Sequence, residues 1–338
     1  MMMKRLDRKL QNIRAGTATR KDFLIADAKD ADMAFGIAAP GPHADGGWKT
    51  LNEYREQIRA IVKQDLIDIM LMSASTLEQL AMQEGIFRNS EITPAARAND
   101  TTDIWLARGG SYHTQPSRPF RSATLDHIKY GRLADDHQQP FIGADLGLYS
   151  LTFVNRLEDD HRSLEAFHDF RLEAERKQFR YFLEVFHPNV DAGISAEKIP
   201  QFVNDQIVRA LAGVTEAGRP LFLKIPYGGP AALEELVSYD PQLVVGILGG
   251  GAGTTLDAFQ LIHDAQKYGA QVALFGRKIN RSEDPILFLT FLRAITDGDI
   301  KPVEAVKAYH DQLSTAGIKT HRLLADDLTL TEPVLRYS

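Results

Sequence analysis

Short apolar runs alternate with amphipathic helical stretches along most of this chain, and that rhythm limits its fold more than any other feature. The runs are FLIADA (23–28), LIDIMLM (66–72), LGLYSLTFV (146–154), YFLEVF (181–186), PLFLKIP (220–226), LVVGIL (243–248) and VALFG (272–276), with a weaker one at DIWLA (103–107). Between them, helices are predicted over 51–64, 75–84, 161–179, 196–212, 254–268 and 285–297. Strands separated by helices pair in parallel. Eight such strands in 338 residues predict closure into a (β/α)8, or TIM, barrel, with a doubly wound open sheet as the alternative. The stretch 88–139 has no clear period and is read as carrying strand three and a long loop at the site. No repeat or low-complexity linker interrupts the chain. Residues 1–338 are therefore read as one barrel domain with an N-terminal helical extension.

Composition narrows the function classes. The formal net charge is -6 and no basic block stands out, so nucleic acid and anionic membranes are not expected partners. No apolar run approaches the roughly 20 residues of a membrane helix, and the opening MMMKRLDRKLQNIRAG lacks the apolar stretch of a secretory signal. There are no cysteines, which removes disulfides, thiolate metal sites and cysteine nucleophiles. Their absence fits a cytoplasmic enzyme.

Barrel enzymes carry their chemistry at the carboxyl ends of the strands, so polar residues there are the candidates. Lys224 interrupts PLFLKIP. Strand alternation puts Phe222, Lys224 and Pro226 on one face. An unpaired ammonium against the outer helices is costly, which favours the lumen mouth, where apolar surroundings make the neutral amine available to attack a ketone. Glu184 stands in YFLEVF with the same logic, and if the two runs are neighbouring strands, Glu184 and Lys224 can pair and pass protons. Asp27 ends the first run, followed by Lys29; both are candidates for holding sugar hydroxyls or moving a proton. Arg108, in LARGGSY, would end strand three if DIWLA is that strand.

Two glycine clusters close the series. Gly249, Gly250, Gly251 and Gly253 lead from a strand into a helix beginning near Thr254 or Thr255, and Gly276-Arg277 follows the last strand. Glycines let backbone N–H groups approach a phosphate, the helix dipole helps, and arginine adds charge-assisted bonds. No Gly-Lys-Ser/Thr follows, so this is not a Walker loop, and its spacing and late position do not fit a dinucleotide fingerprint. His113 and His187 could imitate a metal site beside Glu184, but no HxH or HExxH spacing exists, and neither a metal nor an organic cofactor is expected. The acidic run Glu158-Asp159-Asp160 is read as structural, at a helix start.

With these residues in place, the pattern resembles the class I (Schiff-base) aldolases that include archaeal-type fructose-bisphosphate, tagatose-bisphosphate and deoxyribose-phosphate aldolases. The resemblance is firmest over residues 180–300 and includes FGRKINRSEDPILFLTFLRAI. It implies an imine-forming Lys224 on strand six, Glu184 on strand five as acid/base, Asp27 at the end of strand one, and phosphate held by Gly249, Gly250 and Gly251 and by Gly276-Arg277, with Lys29 and Arg108 as further binding candidates. It implies a phosphorylated sugar as substrate and a homo-oligomer. Archaeal-type members carry a tyrosine near the end of strand five, where this chain has Phe186 and His187, so it looks closer to the tagatose-bisphosphate type. DAKDADMAFG after strand one matches neither. A sugar-phosphate isomerase or epimerase, with Glu184 as base, and a non-catalytic phosphosugar-binding barrel are the alternatives.

Overall fold

The computed structural model describes the whole chain except residues 1–2, 44–45, 137–138, 252 and 338. Eight parallel strands close into a barrel in chain order. They are β1 (Leu24–Lys29), β2 (Ile69–Met72), β3 (Thr93–Arg97), β4 (Leu146–Thr152), β5 (Arg180–Phe186), β6 (Leu223–Ile225), β7 (Val245–Leu248) and β8 (Val272–Phe275). Closure comes from β1 pairing with β8, Leu24 opposite Val272 and Asp27 opposite Phe275. The open-sheet alternative is thereby set aside.

Because the strands are buried on both faces, alternation sorts apolar residues into two cores rather than into core and solvent. Leu24, Ala26, Ala28, Ile69, Leu71, Ala95, Leu146, Leu148, Phe182, Phe222, Val244, Val272 and Leu274 pack together inside the barrel. The intervening residues, such as Ile25, Met70, Tyr149, Leu183, Leu223, Val245 and Ala273, pack against the surrounding helices. Each large side chain so buried stabilises the fold by about 1.5–3 kcal/mol. Helices follow the predicted pattern closely at Leu51–Gln64 and Pro285–Asp297. Thr50 caps the first through a reciprocal Thr–Glu box with Glu53, and Asp284 caps the second. Leu157–Arg176 begins with Glu158, Asp159 and Asp160 in its first turn, as the helix dipole favours.

The N-terminal helix Arg5–Arg14 covers the amino end of the barrel. Leu6 and Leu10 enter the inner core, while Lys9 reaches the buried Asp68 at 2.9 Å. Arg293 meets the same carboxylate at 2.7 Å. This end is closed by packing and ion pairs, so the open end is the one where the strands finish.

One strand lies elsewhere than expected. DIWLA is not strand three: residues Thr102–Ile104 form a 3-10 turn and Trp105 leaves it. Strand three is TPAAR, Thr93–Arg97. Among the described residues no helix is long and apolar enough to cross a membrane.

Candidate active site

The alternation that stacks Phe182 on Phe222 inside the barrel, with ring centroids 4.7 Å apart, brings Glu184 and Lys224 together two residues further along. They are direct register partners on β5 and β6. Lys224 Nζ lies 2.5 Å from Glu184 Oε1, and both side chains are buried. On the other side of Lys224 the register partner is Gly246. A Cβ there would come within 2.6 Å of the Leu223 carbonyl oxygen, so no side chain from β7 stands beside the lysine at this level.

On the far side of Glu184 the register partner is Ser150 of β4. Its hydroxyl donates to Glu184 Oε2 at 2.6 Å and accepts from Arg97 Nη1 at 3.0 Å. Arg97, at the end of β3, also reaches Glu184 Oε2 at 3.3 Å and Asp30 Oδ2 at 2.6 Å. Asn99 clamps the backbone of Ser150 from both sides. The result is a buried row of alternating sign: Asp30, Arg97, Glu184, Lys224. Burial pushes the Asp30 carboxyl up, but Arg97 and then Lys224 outweigh it and hold the group below its ordinary value. Burial pulls the Arg97 guanidinium down, and Asp30 and Glu184 reverse that.

This row forms the floor of a cleft of about 370 Å³ at the carboxyl end of the barrel. Asp103, His187, Phe35, Ile104, Leu106 and Phe186 contribute to its walls, and Gly249, Gly250, Gly276 and Arg277 to one rim. A Cβ on Gly249 would sit 2.3 Å from the Phe275 ring, and Gly250 has φ +61, so both positions need glycine. The N–H groups of Gly250 and Gly251 have no protein acceptor among the described residues. Arg277 is exposed at the rim and has no carboxylate partner among the described residues. Surrounding protein and then the like charge of Arg281 pull its pKa down. Burial lowers the His187 pKa and keeps its ring neutral.

Of the residues singled out from sequence, Lys224, Glu184, Gly249, Gly250, Gly276 and Arg277 meet in this cleft. Four placements need correction. Asp27 faces outward, because Ala26 and Ala28 hold the inner positions of β1; Asp30, one turn of the pleat later, is the carboxylate that enters. Lys29 faces outward as well. It pairs with Asp27 at 3.3 Å and donates to Asn280 Oδ1. Burial raises the Asp27 pKa to about 6, against the pull of Lys29, and burial lowers that of Lys29, against Asp27. Arg108 is not at a strand end; it lies exposed with its guanidinium 5.9 Å from the Trp48 ring. Gly251 lies beneath the Arg277 side chain, where a Cβ would be 2.8 Å from Nε, and it faces the adjoining hollows rather than the cleft.

The helix expected to offer its first amides to a phosphate is Thr255–Lys267. Those amides are already taken. Thr254 N–H donates to Asp257 at 2.7 Å and Thr255 N–H to Asp327 at 2.8 Å. Asp257 in turn accepts from Thr331 and Glu332 N–H groups, so a C-terminal strap is bound across this helix start. Gly250 and Arg277 are what the rim presents to the cleft instead. His113 sits exposed in a turn away from the cleft, and no group of three or more His, Asp or Glu side chains among the described residues is placed to hold a metal ion.

Sequence reasoning missed Asp30, Arg97, Ser150 and Asp103. For Arg97 a signal existed: an arginine two residues before Asn99, both inward, in the run AARAND.

No family model and no curated protein matches the chain by sequence. Solved structures do. An archaeal fructose 1,6-bisphosphate aldolase superposes with a TM-score of 0.60 at 14% identity, covering 87% of this chain and 99% of that one. A second archaeal fructose-1,6-bisphosphate aldolase, whose catalytic lysine is covalently bound to the carbinolamine intermediate of its substrate, gives 0.61 at 15% identity, over 87% and 100%. A Corynebacterium glutamicum protein gives 0.55 at 17% identity, over 87% and 98%. The barrel thus has the fold of Schiff-base aldolases.

Proposed function

We propose that this chain is a class I aldolase that cleaves or forms a phosphorylated ketose through an imine at Lys224. The observation that carries the reading is the Lys224–Glu184 pair at 2.5 Å on the floor of a barrel-mouth cleft, with Arg277 and the Gly250 amide at its rim, neither of them paired with a carboxylate or carbonyl among the described residues.

In this reading the substrate phosphate rests on Gly250 and Arg277, which sets the ketone over Lys224. Glu184 takes the ammonium proton, the neutral amine attacks the carbonyl carbon, and a proton of the attacking nitrogen passes to the former carbonyl oxygen to give the neutral carbinolamine. Glu184 then returns the proton as the carbinolamine loses water, leaving an iminium that accepts the electron pair of the breaking C–C bond. Ser150 and Arg97 hold Glu184 in line for both transfers. Asp30, kept ionised by Arg97, accepts a hydrogen bond from a substrate hydroxyl.

An isomerase would need Glu184 free to reach a substrate carbon. Here both of its oxygens are engaged, one by Lys224 and the other by Ser150 and Arg97, which favours the imine reading. The test is borohydride reduction in the presence of dihydroxyacetone phosphate, followed by mass spectrometry. A reduced adduct on Lys224, absent in Lys224→Met, is the expected result; no adduct on this residue overturns the reading.

A further inference from the structure

The charges lining the cleft are balanced. Arg97, Lys224 and Arg277 face Asp30, Asp103 and Glu184. Two of the three cations are committed: Arg97 to Asp30 and Glu184, Lys224 to Glu184. Arg277 alone has no carboxylate partner among the described residues. A phosphate monoester carries about -1.5 to -2 near neutral pH, so one such group matches Arg277 and the Gly250 amide beside it.

The barrel order β1 to β8 puts β3–β5 across the mouth from β7 and β8. That opposite half has a different character. Above the mutually paired Arg97 and Glu184 on the floor, Ile104, Leu106 and Phe186 line it, and Asp103 is the one further charged group among its described lining residues. Asp103 is fixed there, accepting from Ser117 at 2.7 Å and from Thr152 at 2.8 Å. A second phosphate extending past Lys224 would meet a braced carboxylate and an apolar wall. Lys49 and Arg281 line the adjoining hollow beyond Gly251, so they extend the phosphate end, and at the far end the one cation among the described lining residues is Arg97, already committed to Asp30 and Glu184.

We infer that the substrate carries one phosphate, at the β7–β8 rim, and that the portion beyond the reacting ketone is uncharged. The aldehyde released or accepted is then an uncharged one, and a sugar bisphosphate is rejected. Specificity of this kind comes as much from the repulsive carboxylate as from the attractive rim. The inference rests on the aldolase reading for the position of the ketone over Lys224.

Isothermal calorimetry on the wild-type protein tests it with non-reactive polyols: 6-deoxyhexitol 1-phosphate and hexitol 1,6-bisphosphate. The monophosphate should bind at least about ten-fold more tightly. Leu106→Arg, which adds a cation to the far wall without touching the braced carboxylate, should close that gap or reverse it. A bisphosphate that binds the wild type as tightly as the monophosphate overturns the inference, as does failure of the monophosphate to bind. Borohydride trapping with dihydroxyacetone phosphate on the same preparation reads the chemistry separately. A missing adduct with the binding ratio intact removes the aldolase reading and leaves the single-phosphate preference standing.

Discussion

Replacing Arg97 by methionine removes the one cation that bridges Asp30 and Glu184 while keeping an unbranched side chain of similar reach. Asp30 is 7% exposed and Glu184 1% exposed, so neither carboxylate can turn to water for compensation. Stripping one partner from a buried ion pair costs about 3–5 kcal/mol, because the other charge is left unpaired. Here Asp30 loses its nearest cation, whereas Glu184 keeps Lys224 and Ser150, so the lower end of that range is expected. Urea unfolding of wild type and Arg97→Met measures it. Adding Asp30→Asn should recover part of the loss, a coupling of about 0.5–3 kcal/mol in the double-mutant cycle. The pH dependence has a definite sign. In the wild type the folded Asp30 pKa lies below its unfolded value, so its contribution to stability is present above the ordinary carboxylate range and is lost as pH falls through the folded pKa. Without Arg97, burial is the dominant influence left on Asp30, its pKa rises, and the charged form becomes a liability. The stability of Arg97→Met should then improve on acidification by more than that of the wild type, which shares the contribution of Asp27. A loss under about 1 kcal/mol with additive mutations would falsify the buried-row account.

Three further outcomes are expected. Glu184→Gln should slow turnover by about 10²–10⁴-fold, the range for general acid–base catalysis, with trapping at Lys224 slowed but not lost; normal turnover would leave Glu184 a structural charge. Arg277→Ala should weaken a phosphorylated ligand by about 1.5–3 kcal/mol and a dephosphorylated analogue hardly at all, and equal losses for both would assign Arg277 to the scaffold. Lys29→Met strands Asp27 behind β1 and should destabilise the fold by about 3–5 kcal/mol, yet leave the borohydride adduct on Lys224; if trapping disappears in a folded variant, Lys29 reaches the site after all.

The physical limits of the sequence show in particular residues. On β5 and β6 a single charged side chain interrupts an apolar run, and that alone fixes which face is inward, so Glu184 and Lys224 were legible. β1 offers no such mark. LIADAK is buried at every position, carries charges on the outward face, and turns Asp30 inward only after the strand has ended, so the parity of Asp27 could not be read. β3, TPAAR, has only Thr93 among the β-branched and aromatic residues that signal a strand, and DIWLA, with Ile104 and Trp105, took its place. Arg97 was lost with it, and Arg108 gained a standing that belongs to Arg97. The glycine clusters were visible, but the competition for the amides at Thr254 and Thr255 was not, since Asp327 lies 72 residues beyond Thr255 along the chain.

Closure of the barrel by β1 and β8 has a consequence for how the molecule is made. Synthesis delivers β1 more than two hundred residues before its closing partner, Leu24 being opposite Val272. At about 5–20 residues per second, the growing polypeptide carries an unpaired edge on β1 until β8 has been made, and such an edge is open to pairing with other chains. The glycine rim matures later still, since its neighbouring helix start is held by Asp327, Thr331 and Glu332. Nascent chains halted before those residues should already hold the Glu184–Lys224 strand pair yet lack a finished anion rim.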